Sequence, residues 1–111
     1  MAKLERTLHG QFDQLLQRIE NGILESSLSA SLEDASDFYS GEARCSVRVF
    51  ERFSSMGGNR LSLSVTLFQG EDGEIRLSAI SAGGSQGMFM KINRLGENAF
   101  LGVLKDVLEQ M

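Results

Sequence analysis

The sequence contains no proline and only one cysteine among its 111 residues. Without proline there are no polyproline linkers and no proline-marked domain boundaries. Cys45 has no second cysteine as a partner, which excludes an internal disulfide and a paired-cysteine zinc motif. A chain with so little cysteine is typical of a reducing compartment, and we expect a cytoplasmic protein.

The sequence also lacks a long apolar run and an excess of positive charge. No segment approaches the roughly 18 apolar residues of a membrane helix, and the first residues, MAKLERTLHG, lack the apolar region of a signal peptide. The formal net charge is −4, whereas nucleic-acid binding usually requires a positive field. We therefore expect neither a membrane nor a nucleic acid as a partner. The 41% of hydrophobic residues suffices for one core, so residues 1–111 are expected to form a single domain.

Hydrophobic periodicity predicts a short strand and two helices. KLERTL places Leu4 and Leu8 on one side of an extended segment. The helical stripe that follows consists of Phe12, Leu15, Leu16 and Ile19. Gly22 follows at a position typical of a C-terminal cap, so the helix is predicted to end there. A second stripe in GENAFLGVLKDVLEQM predicts the last helix, with Phe100, Val103, Leu104, Val107, Leu108 and Met111 inward.

Four alternating segments between the helices predict strands. In ILESSLSASLEDASDF the inward residues would be Leu24, Leu28, Ala30 and Leu32, with a turn in DASDFYSGE. ARCSVRVFERF would direct Ala43, Cys45, Val47 and Val49 inward. RLSLSVTLF and IRLSAI follow, each preceded by a glycine turn. The order β-α-β-β-β-β-α predicts an α+β fold with two layers, an antiparallel meander with both helices on one face.

A glycine-rich segment precedes the last helix and is the first candidate site. Gly83, Gly84, Ser85, Gln86 and Gly87 nearly match a dinucleotide-binding fingerprint, but the first glycine is missing and a meander lacks the parallel βαβ unit that this motif needs. A joint between sheet and helix is the favoured interpretation, and an anion site is the alternative. A small ligand between the last helix and the sheet would have this loop at the mouth of its cavity, lined by Met88, Phe89, Met90 and Phe100.

The outward face of the predicted sheet is the second candidate site. Short hydroxyl side chains and arginines share the outward parity: Arg44, Ser46, Arg48, Ser62, Ser64, Thr66, Arg76 and Ser78. A solvated face is the simplest interpretation. Short side chains also let a second sheet approach, and arginine binds carboxylate or phosphate in a forked geometry. A dimer face and a face for a ligand or an acidic partner therefore stay open.

Residues with catalytic or metal-binding chemistry are few. His9 is the single histidine and has no evident nucleophile as a partner. Cys45, on the inward parity, is expected to be a buried thiol. Glu33, Asp34 and Asp37 lack the residue order of a calcium loop. We expect no metal and no cofactor, and an enzyme acting on a polar small molecule is the weakest hypothesis.

Four segments together resemble a small bacterial family of unknown function found in Firmicutes: LERTLHGQFDQLL, SASLEDASDF, GGNRLSLSVTL and SAGGSQGMFMKIN. The resemblance covers nearly the whole chain and implies a cytosolic bacterial protein, but it carries no assigned chemistry. The predicted layout also resembles, at fold level, a reduced helix-grip domain, and a fold does not determine a function.

The leading hypothesis is a non-enzymatic binding or assembly module that forms a homodimer through the sheet face or a sheet edge. A small-ligand binding protein is the alternative.

Overall fold

The computed structural model describes residues 1–54, 59–83 and 90–111. The elements in chain order are β1 (Ala2–Leu8), α1 (Phe12–Glu25), β2 (Ser31–Ser40), β3 (Ala43–Ser54), β4 (Asn59–Gln69), β5 (Ile75–Gly83) and α2 (Met90–Glu109). The strands form one antiparallel sheet in the order β1-β5-β4-β3-β2, so that β4 is central and β1 and β2 are the edges. The predicted α+β fold and element order are confirmed.

One hydrophobic core lies between the sheet and the two helices. Alternate residues of the inner strands are buried, as the period of two requires: Leu61, Leu63, Val65 and Leu67 on β4, and Ile75, Leu77 and Ala79 on β5. The apolar stripes of the helices cover them, namely Phe12, Leu15, Leu16, Ile19 and Ile23 on α1, and Phe100, Leu101 and Leu104 on α2. The α1 stripe is confirmed as far as it was predicted, to Ile19. On α2, Phe100 and Leu104 are confirmed, whereas Leu101 is buried without a prediction, and Met111, predicted inward, is exposed beyond the end of the helix.

Gly22 lies inside α1 and not at its end, so the predicted C-terminal cap is wrong. The helix continues to Glu25, and Ile23 is fully buried. A Cβ atom on Gly22 would lie 2.4 Å from Cγ2 of Val107 on α2, closer than any real contact. Gly22 is therefore required because the two helices approach each other here, and its backbone conformation is ordinary.

Replacing Gly22 with alanine is expected to destabilise the fold by about 1–3 kcal/mol, the usual effect of overpacking. Gly102 is the matched control, since it is also helical but has open space where a Cβ would be added. Gly102→Ala should stabilise by up to about 1 kcal/mol through helix propensity. Urea unfolding measures both changes. Val107→Ala in the Gly22→Ala background should recover part of the loss, and the absence of any recovery would contradict this packing.

The second predicted strand is wrong in its position. Leu24 belongs to α1, Leu28 is completely exposed, and β2 begins only at Ser31. The predicted turn residues Asp34 to Tyr39 lie within β2, and the reversal occurs at Gly41, whose φ is +59°. Among the described strands, β2 pairs with β3 alone, and nearly all of its residues are exposed on both faces. An edge strand of this kind has no buried parity that a hydrophobic pattern could reveal.

The parity of β3 is the reverse of the prediction. Phe50 pairs with Leu63 of β4 and is fully buried, so every second residue back from it also faces the helices. Arg44, Ser46 and Arg48 are therefore on the helix side, whereas Cys45, Val47 and Val49 lie on the opposite face. Burial of the large aromatic ring of Phe50 is one contribution that favours this register.

Candidate functional site

The sheet has one face that both helices leave uncovered, and we call it the open face. Cross-strand pairing aligns its residues in three rows that run from β1 through β5, β4 and β3 to β2. The rows are Lys3–Ile80–Ser64–Val49–Asp34, Glu5–Ser78–Thr66–Val47–Ser36 and Thr7–Arg76–Phe68–Cys45–Phe38.

The open face is more apolar than the sequence pattern indicated. Four of its large apolar side chains are well exposed, Phe38 at 62%, Phe53 at 50%, Phe68 at 43% and Ile80 at 41%. The half-buried side chains of Cys45, Val47 and Val49 lie between them. Scattered apolar residues are normal on a surface, but this number of exposed large apolar side chains on one face of a sheet is typical of an interaction surface.

The centre of the open face consists of small side chains. Ser62, Ser64 and Thr66 of β4 lie on it, as do Ser78 and Arg76 of β5, all in agreement with the outward parity expected for them. Because these hydroxyl side chains are short, the middle of the open face extends less far from the backbone than its apolar surroundings. A shallow depression of about 360 Å³ lies toward β1, lined by Thr7, Thr66, Phe68, Arg76 and Ser78 among others.

Arg48 lies on the helix side in a cluster of polar groups. Its Nε donates to Oε1 of Glu20 on α1 at 2.6 Å, and its Nη1 to Oδ1 of Asp37 on β2 at 3.1 Å. Ser46 is buried and donates to the same Asp37 oxygen at 2.5 Å. Burial disfavours the charged form of Arg48, but the two carboxylates outweigh it and raise the Arg48 pKa. Arg48 and Ser46 therefore attach β2 and α1 to β3.

Arg44 attaches the same strands to the start of α1. Its guanidinium lies 4.0 Å from the ring centre of Phe12 and 5.1 Å from that of Tyr39, and it donates to Asp13 at 2.8 Å. This hydrogen bond holds the pKa of Asp13 below its usual value. The two aromatic rings and the carboxylate compensate this guanidinium in part for the water that it loses, while its buried Nε has no hydrogen-bond partner among the described residues. Arg44 is thus engaged within the chain.

The Asp37 contacts predict a pH dependence of stability. The hydrogen bond from Ser46 and the contacts with Arg48 hold the pKa of Asp37 below its ordinary value of 3.8. Because the folded pKa is the lower one, this stabilisation is complete above about pH 4 and is lost as the pH falls through the folded pKa.

Asp37→Asn should therefore unfold more readily than the wild type at neutral pH, with a difference that shrinks below about pH 4. Ser46→Ala removes the shortest of these contacts and should reduce the same pH-dependent contribution. Urea unfolding over a pH series measures both variants. A difference between Asp37→Asn and wild type that stays constant into the acid range would contradict this assignment.

The predicted ligand loop lies only in part within the described residues. β5 extends to Gly83 and α2 begins at Met90, while Gly84, Ser85, Gln86, Gly87, Met88 and Phe89 fall outside the described residues. The Gly83 amide donates to Oε2 of buried Glu97 at 2.6 Å, and the other oxygen of Glu97 binds the Met1 ammonium at 2.8 Å. A carboxylate at this position engages the Gly83 donor and disfavours an anion beside it.

Phe100, Cys45 and His9 were also considered as functional residues, and they lie in three separate parts of the molecule. Phe100 is fully buried in the core, beneath the guanidinium of Arg52 at 4.6 Å. Cys45 is a half-buried thiol on the open face, where its inward parity had predicted burial under the helices. His9 is exposed beside a depression that Asp72 and Glu74 also line.

The apolar residues of the open face were missed because the parity of β3 was misread. A usable signal was present: Phe50 and Phe53 have opposite parity, so one of them must lie on the face away from the core. The sequence pattern predicts a turn around Phe38, whereas this exposed residue lies in an edge strand.

Within the described residues, no group of three histidine, cysteine or acidic side chains is placed to hold a metal ion. Neither of the two described helices is both long and apolar enough to cross a membrane. A search of curated proteins gives no match for the chain. A family described as a family of unknown function, DUF6054, matches residues 1–111. The chain therefore belongs to the DUF6054 family.

Proposed function

We propose that this protein is a non-enzymatic, self-associating module in which two copies pack their open faces together. The observation that supports the proposal is the group of exposed apolar side chains that surrounds short serine and threonine side chains at the centre of the open face. Two packed sheets lie about 10 Å apart, and short central side chains permit that approach. Burying the exposed parts of Phe68, Ile80 and Phe53 would supply the hydrophobic driving force.

The size of the open face suits a dimer. Five strands at about 4.8 Å spacing give a width of roughly 24 Å, and Arg60 to Phe68 of β4 spans about 27 Å. The product is about 650 Å² for each copy and about 1,300 Å² for the pair, within the range of roughly 1,200–2,000 Å² for stable interfaces.

Charge favours a second copy over another kind of partner. The three rows contain two cationic residues, Lys3 and Arg76, and two anionic residues, Glu5 and Asp34. The rows are therefore electrically balanced, although the whole chain has a net charge of −4. A balanced face avoids self-repulsion, and it offers no single-sign field for a nucleic acid, an anionic lipid surface or an acidic peptide.

The test is the mass in solution of the wild type and of Ser64→Glu. Ser64 is central on the open face, and a glutamate there would bury an unpaired charge in the interface. We expect the wild type to be a dimer and Ser64→Glu a monomer by light scattering after size exclusion. Gln17→Glu is the matched control, since it adds the same charge on the exposed side of α1 and should remain dimeric.

A circular dichroism spectrum and a thermal melt establish that Ser64→Glu is folded. Ser64→Asn, a polar change without charge, is a second variant if the glutamate impairs folding, and it should weaken the dimer less. A wild type that remains monomeric at high concentration contradicts the proposal. A monomer with a co-purified small molecule in native mass spectrometry would support ligand binding in its place.

A further inference from the structure

The arrangement of residues on the open face also specifies how two copies would be oriented. Because β4 is the central one of five strands, a two-fold axis along β4 places each row over the same row of the second copy in reversed order. β1 of one copy then lies over β2 of the other. We propose that the copies pair around this axis, with Lys3 of each copy against Asp34 of its partner copy; this rests on the proposed function above.

In the row through Ser64, this orientation pairs opposite charges. Reversal of Lys3–Ile80–Ser64–Val49–Asp34 sets the Lys3 ammonium against the Asp34 carboxylate and Ile80 against Val49. Both charged side chains are exposed within one chain. Among the described residues, the Lys3 ammonium lies 4.0 Å from Glu5, and one oxygen of Asp34 accepts from the Ala35 amide at 2.8 Å, which leaves its other oxygen for a partner. The two-fold axis makes this opposite-charge pair twice.

In the row through Phe68, this orientation places an exposed ring over a depression. In reversed order, Phe38 of one copy lies over Thr7 of the other, at the depression that Arg76 and Phe68 also line. Phe38 is 62% exposed and protrudes from the edge strand. A protruding aromatic ring would thus enter a depression that has a guanidinium nearby for a cation–π contact. The two Phe68 rings would meet on the axis.

The other simple arrangement fits less well. A two-fold axis across the strands, through Thr66, would place Phe38 over Asp34 and Phe68 over Ser64. It would also bring Ile80 over Arg76 and leave Lys3 over Thr7. Each of these contacts buries an apolar or charged side chain against an unsuitable partner, which costs free energy. Complementarity therefore selects the axis along β4.

Lys3 and Asp34 provide a test because they cannot interact within one chain. They lie on opposite edges of the sheet, four strand spacings or about 19 Å apart. Lys3→Asp alone would place two pairs of like charges in the dimer, as would Asp34→Lys alone. Mixing the two variants restores both opposite-charge pairs in a heterodimer.

The experiment measures the dimer dissociation constant by analytical ultracentrifugation for each variant, for their mixture and for the wild type. We expect each single variant to bind itself at least about tenfold more weakly and the mixture to return close to the wild-type affinity. The loss should shrink in high salt, since these are edge charges. Phe38→Ala should weaken the dimer independently of salt, and Tyr39→Ala, on the helix side of β2, is its matched control.

The outcomes separate this orientation from the proposed function. If single charge reversals leave the dissociation constant unchanged, or if the mixture fails to recover, the axis along β4 is wrong. If the charge variants give this negative result but Ser64→Glu is a monomer, the orientation is wrong while the open face is still the dimer interface. A monomeric wild type overturns both proposals together.

Discussion

Phe50→Ala is expected to lower the free energy of unfolding by about 3–5 kcal/mol, the usual cost of truncating a fully buried aromatic side chain. Phe50 is fully buried and packs from β3 into the cluster that both helices cover. Truncation removes the transfer free energy of the ring and leaves a cavity that the surrounding strands cannot close. Urea denaturation with the tyrosine and circular dichroism signals measures the change.

Val49→Ala is the matched control for Phe50→Ala because it tests the parity of β3 directly. Val49 lies on the open face and is only half-buried within one chain. Its truncation should cost less than about 1.5 kcal/mol in the folding of the single chain. The alternation of Val47 and Val49 predicts an inward Val49, whose truncation would then have the cost of a core residue. A larger loss for Val49→Ala than for Phe50→Ala would contradict the observed register.

Arg48→Ala is expected to lower the free energy of unfolding by about 2–3 kcal/mol, because hydrogen bonds to charged groups are worth more than neutral ones. The side chain of Arg48 is 11% exposed, and its removal leaves Glu20 and Asp37 without their common counter-ion. Both carboxylates retain some access to water, so the loss stays below that of a fully buried pair. Arg48→Lys should recover part of it, since lysine carries the charge but lacks the fork.

Arg60→Ala is the control for the arginine change. Arg60 binds Glu51 at 3.0 Å on neighbouring strands, but both side chains are well exposed. Exposed ion pairs contribute little, so its loss should be below about 1 kcal/mol. Equal effects of Arg48→Ala and Arg60→Ala would show that the position of Arg48 under α1 has no importance.

Elements with a buried stripe were predictable from the sequence, and those without one were not. Phe12 to Ile19 and Phe100 to Leu104 repeat at helical spacing because each helix covers the sheet with one side. β4 alternates cleanly because one of its faces is core. β2 has no such constraint: it is an edge strand with one paired neighbour, so its residues carry turn-like chemistry without forming a turn.

The register of β3 could not be predicted by counting hydrophobic residues. Its valines alternate on one parity and its arginines on the other, which is the usual signature of an inward valine face. The arginines occupy the inner face because Asp37 of the neighbouring strand and two carboxylates of α1 meet them there. The α1 partners, Asp13 and Glu20, lie 31 and 28 residues earlier in the sequence. A tertiary arrangement of charges therefore reverses a local pattern, and this reversal moves Cys45, Val47 and Val49 onto the candidate interface.

The most direct test of self-association through the open face is the mass of the wild type and Ser64→Glu by light scattering, across concentrations of about 1 µM to 1 mM. One chain has a mass of 12.2 kDa. The proposal predicts that the wild type reaches twice that mass and that Ser64→Glu stays at the mass of one chain while folded. A wild type that keeps the single-chain mass throughout, or a Ser64→Glu variant that dimerises as well as the wild type, would contradict it.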